Sequence, residues 1–187
     1  MRHRIASAAI VVAVAVLASA ASAQVQRSFG GETVNLELSA GTYWVTASYD
    51  GRIRILPRTK ADQASVRLNV NTLGRRADVT VTGPKDGFEA DIELPRHVQM
   101  IVTLAGGTLR VRGIDGSKNI SAKTGEIDIE IGDRNRYGRV IASVRTGAVN
   151  PPGFHTGQPD RRSFEWTGSG IHDLNVRLDS GTITLRE

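Results

Sequence analysis

The C-terminal segment NVRLDSGTITLRE, Asn175–Glu187, carries a pattern that also occurs at Ile120–Ile131 (ISAKTGEIDIEI) and at Val102–Gly113 (VTLAGGTLRVRG). Each copy alternates apolar and polar residues, passes through a small residue and a glycine, and then resumes the alternation. Alternation with a period of two is typical of a strand that buries one face. The glycine between the two alternating halves indicates a tight bend that joins two strands.

Alignment on the bend glycine adds two weaker copies, which centre on Gly41 and Gly147. The second position beyond the glycine is apolar or aromatic in all five copies: Tyr43, Leu109, Ile127, Val149 and Ile183. Pro151 interrupts the alternation in the Gly147 copy. Because equivalent apolar positions recur, we expect the copies to stack and to place Leu109, Ile127 and Ile183 in one interior column.

A strand, a glycine corner and a second strand make one coil of a β-solenoid. The sequence therefore predicts an all-β fold, a β-solenoid of the single-stranded β-helix type, with residues 24–187 in one domain. We expect the coils to be most regular over residues 98–187, after a less regular β-sheet region from Val25 to Leu94. An antiparallel meander is the alternative, since YDGRIRI at Tyr49–Ile55 and GIDGS at Gly113–Ser117 contain Asp-Gly, which is typical of hairpin turns.

The N-terminus has the features of a secretory signal peptide. Basic residues occupy Arg2 to Arg4, the apolar run IASAAIVVAVAVLASA follows, and ASA at Ala21–Ala23 is typical of a cleavage site. We therefore expect residues 1–23 to be a signal peptide and the protein to be exported to the periplasm, the cell surface or the medium. An uncleaved membrane anchor is the alternative, although the run is short and Ala-rich for a stable span.

Composition narrows the classes of partner and of chemistry. The chain has no cysteine, which excludes disulfides, thiolate metal ligands and a cysteine nucleophile. Removal of the leader takes away two of the 24 basic residues and none of the 19 acidic ones, which leaves a net charge of +3. So mild a charge does not favour nucleic acid as a partner. No later segment is apolar enough to predict a stable membrane span.

Residues that carry chemistry do not group into a familiar catalytic or metal-binding pattern. His97, His155 and His172 are far apart and lack the spacing of metal ligands. Ser169 lies in GSG rather than in G-x-S-x-G, and no nucleotide-binding glycine motif occurs. We therefore expect no catalytic residues, no cofactor and no metal.

One acidic row resembles the carboxylate pair of a polysaccharide-cleaving enzyme. Glu126, Asp128 and Glu130 alternate along a single predicted strand. Parallel stacking of neighbouring copies sets Arg110 over Asp128 and Arg112 over Glu130. Neutralisation by these arginines favours a surface ladder over an active site.

A segment rich in proline and glycine, NPPGFHTGQPDRR, interrupts the repeat and predicts a surface loop over residues 150–163. The candidate ligand-contact residues are His155, Arg161 and Arg162 in this loop and Trp166 just beyond it. Packing of Trp166 against the base of the loop is the alternative.

Residues Ile92–Ile129, IELPRHVQMIVTLAGGTLRVRGIDGSKNISAKTGEIDI, resemble the bacterial "putative adhesin" domain family. Residues 176–185 resemble the closing coil of the same family. The resemblance implies an exported β-solenoid of unknown biochemical function and supplies no catalytic residues.

Together these features predict a non-enzymatic, exported envelope or surface protein that acts as an adhesin-like interaction module of unknown ligand. A cell-envelope protein or polysaccharide is the expected kind of partner. The alternatives are a carbohydrate-active enzyme on a β-helix scaffold and a structural envelope component that assembles with copies of itself.

Overall fold

The computed structural model describes residues 24–58, 65–84, 86–151, 154 and 162–187. The predicted signal peptide, residues 1–23, lies outside the described residues, and so does most of the predicted loop over residues 150–163. Within the described ranges, no helix has the length and apolarity needed to cross a membrane.

The described chain is all-β. Its strands are β1 (Val25–Ser28), β2 (Thr33–Leu38), β3 (Gly41–Ser48), β4 (Arg52–Pro57), β5 (Arg67–Leu73), β6 (Arg76–Thr82), β7 (Glu89–Pro95), β8 (Gln99–Leu104), β9 (Gly107–Arg112), β10 (Lys118–Glu130), β11 (Tyr137–Asn150), β12 (Ser163–Thr167) and β13 (His172–Arg186). A short 3₁₀ helix, Arg134–Arg136, precedes β11. The strands belong to a single 13-stranded sheet that curves until it nearly closes on itself. Inward side chains from Phe29 to Leu185 form one hydrophobic core.

Most of the sheet consists of six parallel tiers, each with a first and a second segment that meet at a corner. The first segments are neighbours in the order β6, β2, β8, β10, β13 and β11. The second segments are neighbours in the order β7, β3, β9, β10, β13 and β11. In β10, β11 and β13 one strand supplies both segments and bends at the corner glycine.

The strand register reproduces the glycine alignment of the sequence. Leu109 is the register partner of Ile127, and Ile127 is the partner of Ile183. All three side chains are at most 1% exposed. The predicted interior column is therefore confirmed.

The tiers do not follow chain order. The last strand, β13, lies between β10 and β11, and β2 lies between β6 and β8. The tier of β6 and β7 lacks the glycine pattern, because β6 ends at Thr82 and β7 begins only at Glu89, so a longer extension replaces the glycine corner. Phe88 of this extension packs edge-on against Tyr43, with 5.9 Å between the ring centroids.

The region from Val25 to Leu94, predicted as a less regular sheet, contains both kinds of strand pairing. Four of its strands, β2, β3, β6 and β7, join the parallel tiers, whereas β1, β4 and β5 pair in antiparallel fashion. The Asp-Gly turn within Tyr49–Ile55 links β3 to β4, but these two strands do not pair as a hairpin. Each of them pairs with β7 instead.

Glycine permits the corners because neighbouring backbones approach one another very closely there. Gly107, Gly125, Gly147 and Gly181 have φ between 105° and 137°, which other residues rarely adopt. A Cβ at Gly125 would lie 1.7 Å from the carbonyl oxygen of Gly107, and one at Gly181 would lie 1.8 Å from that of Gly125. Each corner glycine therefore leaves room for the backbone of the adjacent tier.

Gly125→Ala is expected to lower the free energy of unfolding by more than about 2 kcal/mol, because the methyl group meets both an unfavourable φ and the Gly107 carbonyl. Gly132→Ala has only the unfavourable φ, 64°, with open space around the new methyl, and should cost about 1 kcal/mol. Gly30→Ala has neither problem and should be close to neutral. Urea unfolding of the three variants measures these differences, and equal losses for Gly125→Ala and Gly132→Ala would contradict the close approach.

Candidate functional site

A trough of about 860 Å³ crosses the first segments of all six tiers, just before the corner. Its floor consists of one buried residue from each tier: Val81, Leu38, Leu104, Ala122, Leu178 and Val144. These residues are register partners from strand to strand. Because neighbouring strands lie about 4.8 Å apart, the trough is about 24 Å long.

Two rows of outward side chains form the walls of the trough. The residue before each floor residue supplies the first wall: Thr80, Glu37, Thr103, Ser121, Arg177 and Ser143. The residue after each floor residue supplies the second wall: Thr82, Ser39, Ala105, Lys123, Asp179 and Arg145. Seven of these twelve residues are Ser, Thr or Ala, so the walls are low and rich in hydroxyl groups.

Charge is distributed unevenly along the trough. Lys123, Arg145 and Arg177 lie in the tiers of β10, β11 and β13, together with the acidic Asp179. Arg145 and Asp179 form a weak ion pair at 3.7 Å between two exposed side chains. Glu37 is the charged wall residue of the other half. One end of the trough is therefore basic and the other half carries a negative charge.

An interior cation lies in the same first segments. Lys118 occupies a column whose other members are apolar: Ala77, Val34, Met100, Leu174 and Val140. Lys118 is 1% exposed, and its Nζ donates hydrogen bonds to Tyr137 Oη at 2.7 Å and to the Gly116 carbonyl at 3.0 Å. Burial lowers the pKa of Lys118 to about 8, while the Asp115 carboxylate opposes the shift and Arg136 reinforces it.

Asp115 is the carboxylate whose negative charge raises the pKa of Lys118, although its own ion pairs are with arginines. Arg96 Nε and Arg136 Nη1 each lie 2.8 Å from its oxygens, and His97 Nδ1 lies 3.7 Å away. Burial acts to raise the pKa of Asp115, but hydrogen bonds from the two arginines outweigh burial, and the net pKa is lowered. Burial raises the pKa of the neighbouring Tyr137 to about 12.

A smaller cavity of about 360 Å³ opens beside this cluster and brings together two of the isolated histidines, His97 and His172. Asp115 and Ser117 also line it. Burial lowers the pKa of His172, and the positive charges of Lys118 and Arg136 add to that effect. Among the residues that the structure describes, no group of three or more His, Asp or Glu is arranged to hold a metal ion.

Two of the three carboxylates in the acidic row on β10, Asp128 and Glu130, pair with arginine, partly with a different arginine from the one expected. Asp128 accepts from Arg112 Nη2 at 2.9 Å and from Arg186 Nε at 3.0 Å, and Arg112 Nε lies 3.6 Å from Glu130. Arg110 is the register partner of Asp128, as predicted, but the ion pairs that the structure describes for Asp128 come from Arg112 and Arg186. Burial acts to raise the pKa of Asp128, yet these hydrogen bonds leave it lowered.

The four predicted ligand-contact residues are not brought together in the described part of the chain. His155 and Arg161 lie outside it. The Arg162 carbonyl accepts a hydrogen bond from the backbone N–H of Val144 at 2.8 Å, which places Arg162 beside the trough floor. Trp166 on β12 is half-buried and packs against Phe154, with 5.3 Å between the ring centroids. Trp166 is not a lining residue of the trough.

Sequence reasoning missed both the trough and Lys118. The trough depends on which tiers are neighbours, and the sequence pattern does not encode that order. Lys118 did have a signal, because alternation from Ile120 places it on the inward side of its strand.

The chain shares its fold with a solved structure, but the comparisons by sequence find no match. No protein-family model and no curated protein matches the chain. A crystal structure described as a "putative cell adhesion protein" from Clostridium sporogenes ATCC 15579 aligns with a TM-score of 0.55 and 15% identity, over 88% of this chain and 98% of that chain. A "putative adhesin" from Parabacteroides distasonis ATCC 8503 aligns with a TM-score of 0.26 and 11% identity, over 87% and 96% of the two chains. The first of these likenesses shows that the chain has the fold of the Clostridium protein.

Between pH 8 and pH 10, the free energy of unfolding of the wild type is expected to rise by about 2 kcal/mol relative to that of Lys118→Met. The pKa of Lys118 is about 8 in the folded protein and near 10.5 in the unfolded chain, so protonation favours unfolding in this window. Loss of the proton as the pH rises therefore stabilises the fold. Urea unfolding at a series of pH values measures the slope, and parallel profiles for wild type and variant would contradict this assignment.

Proposed function

We propose that the protein is an exported, non-enzymatic, adhesin-like protein of the cell surface or envelope, built as a β-solenoid, and that it binds an extended polymer in the trough. The observation that carries the proposal is the trough itself. It is continuous over six tiers, its exposed lining is mostly apolar, and its walls are rich in hydroxyl groups. These features suit a long, narrow ligand better than a compact one.

The periodicity of the tiers supports a polymeric ligand. Equivalent floor and wall positions recur about every 4.8 Å along the trough. A polymer with repeating units can therefore make similar contacts in successive tiers. Many weak contacts along one chain add up to useful affinity, as in other multivalent binding.

Export and a surface role have two supports. The expected signal peptide, residues 1–23, predicts export. The Clostridium protein that shares the fold is described as a "putative cell adhesion protein", and a related role here is part of the proposal.

The electrostatics support the non-enzymatic part of the proposal. A general acid for glycoside hydrolysis needs a carboxyl group with a raised pKa. The described carboxyl groups with a shifted pKa are Asp50, Asp78, Asp115 and Asp128, and the pKa of each is lowered. These groups are held as carboxylates by arginine or by polar neighbours, which suits structural ion pairs.

Thr103→Arg is expected to abolish polymer binding, because the long side chain would project across the middle of the trough. The measurement is affinity electrophoresis of the purified chain through gels that contain cellulose derivatives, β-glucan, polygalacturonate or alginate. The wild-type protein should be retarded by at least one polymer, and Thr103→Arg should migrate as it does in the plain gel.

Thr46→Arg is the matched control, since Thr46 is also an exposed strand threonine but lies on a second segment outside the trough. It should be retarded like the wild type. Circular dichroism shows whether both variants remain folded. Failure of every polymer to retard the wild type, or equal retardation of Thr103→Arg, would contradict the proposed function.

A further inference from the structure

We infer that the polymer bound in the trough is an acidic polysaccharide whose carboxylate groups lie between Lys123 and Arg177. This inference rests on the proposed function and adds the chemical class of the ligand and its position. It is carried by three observations: the pairing state of the charges, the orientation of the trough relative to the strands, and the asymmetry of the wall charges.

Most arginines of the described chain already have a carboxylate partner. Examples are Arg54 with Glu93, Arg96 with Asp115 and Arg139 with Glu165. Lys123 and Arg177, like Arg27, Arg67 and Arg110, have no ion pair or side-chain hydrogen bond with any residue that the structure describes, but only Lys123 and Arg177 of these five line the trough. Both trough cations are exposed.

The two cations are placed to share one anion. Arg177 is the register partner of Ser121, and Lys123 follows Ser121 by two residues on the adjacent strand. A strand spacing of about 4.8 Å and a rise of about 3.3 Å per residue put their backbones about 8 Å apart. Side chains of this length can reach a carboxylate between them, and the Ser121 hydroxyl faces the same space. A planar carboxylate is also the group that arginine binds best with two hydrogen bonds.

The orientation of the trough favours a polysaccharide over an acidic peptide. An extended peptide gains affinity when it adds to a sheet edge and pairs its backbone with unpaired N–H and C=O groups. The trough instead crosses the strands on the face of the sheet, where the backbone groups are already paired between the tiers. Sugar hydroxyls can bond to the Ser and Thr side chains of the walls, and the apolar faces of sugar rings can lie against the carbon atoms of the trough lining.

The wall charges also define where the acidic groups lie. Glu37 faces the half of the trough that is formed by β6, β2 and β8. It repels a carboxylate there. The other end also contains an acidic residue, Asp179, but Asp179 is paired with Arg145. Lys123 and Arg177 leave that end positive, so the anionic groups of the ligand are favoured there. Neutral hydroxyl-bearing units suit the Thr80 and Thr103 region.

The test measures by affinity electrophoresis how the full chain binds polygalacturonate, alginate and hyaluronate. Each polymer is compared with a form of itself in which the carboxyl groups are esterified. At least one acidic polymer should bind, its esterified form should bind at least about tenfold more weakly, and binding should weaken as salt is raised. The double variant Lys123→Gln and Arg177→Gln should show roughly the same tenfold loss.

The matched control is the double variant Arg27→Gln and Arg67→Gln, which removes two exposed arginines outside the trough. It keeps the same net charge as the trough variant and should bind like the wild type. Equal losses in both double variants would mean that net charge alone attracts the polymer, which overturns the inference.

Two further outcomes separate this inference from the proposed function. If acidic and esterified polymers bind equally well and Thr103→Arg binds neither, the inference of an acidic ligand is overturned. The trough then remains the binding site of a polymer. Binding by none of the acidic or esterified polymers, nor by the neutral glucans, would overturn both.

Discussion

The close stacking of glycines at the corners is the constraint on which the remaining structure depends. The space that a Cβ would occupy at Gly125 is filled by the carbonyl oxygen of Gly107. In the same way, a Cβ at Gly147 would meet the carbonyl oxygen of Gly181. Only glycine tolerates both this approach and the positive φ. Because the corners coincide, the first and second segments of the five tiers with a glycine corner share one register. The columns of the core and the rows of the surface follow from that register.

The shared register explains why one surface carries a long trough. Side chains that point outward at equivalent positions become neighbours across six strands and form two rows, in which seven of the twelve residues are Ser, Thr or Ala. The same register explains the unusual position of Lys118, which replaces an aliphatic residue in an interior column. Its charge is tolerated because Tyr137 Oη, the Gly116 carbonyl and the nearby Asp115 carboxylate compensate for lost water.

The sequence predicts the register well and the order of the tiers poorly. Glycine spacing aligns Leu109, Ile127 and Ile183 correctly because alternation and the bend are local properties of the chain. The order is different, since any aliphatic residue in a column can sit beside any other. The tier of β6 and β7 escapes detection because the extension that contains Phe88 replaces its glycine corner.

The candidate site depends on the order of the tiers in the sheet. The sequence alone therefore did not predict it. Lys123 and Arg177 are 54 positions apart by their residue numbers, and only the insertion of β13 beside β10 brings them to one trough. Arg112 contacts Asp128 as well as Glu130, because its long side chain can reach more than one carboxylate on the adjacent strand. Of the predicted contact residues, Trp166 has a packing partner in Phe154, and the contribution of His155 and Arg161 to binding stays a prediction.

Disulfide formation between engineered cysteines tests the stacking order most directly, because the natural chain contains none. Ser121 pairs with Arg177, and Arg177 pairs with Ser143, so Ser121→Cys with Arg177→Cys and Ser143→Cys with Arg177→Cys should each cross-link under mild oxidation. Ser121→Cys with Ser143→Cys should not, since two strand spacings of about 4.8 Å exceed the Cα separation that a disulfide spans. Rapid cross-linking of the Ser121 and Ser143 pair, without the other two, would show tiers stacked in chain order and would contradict the account.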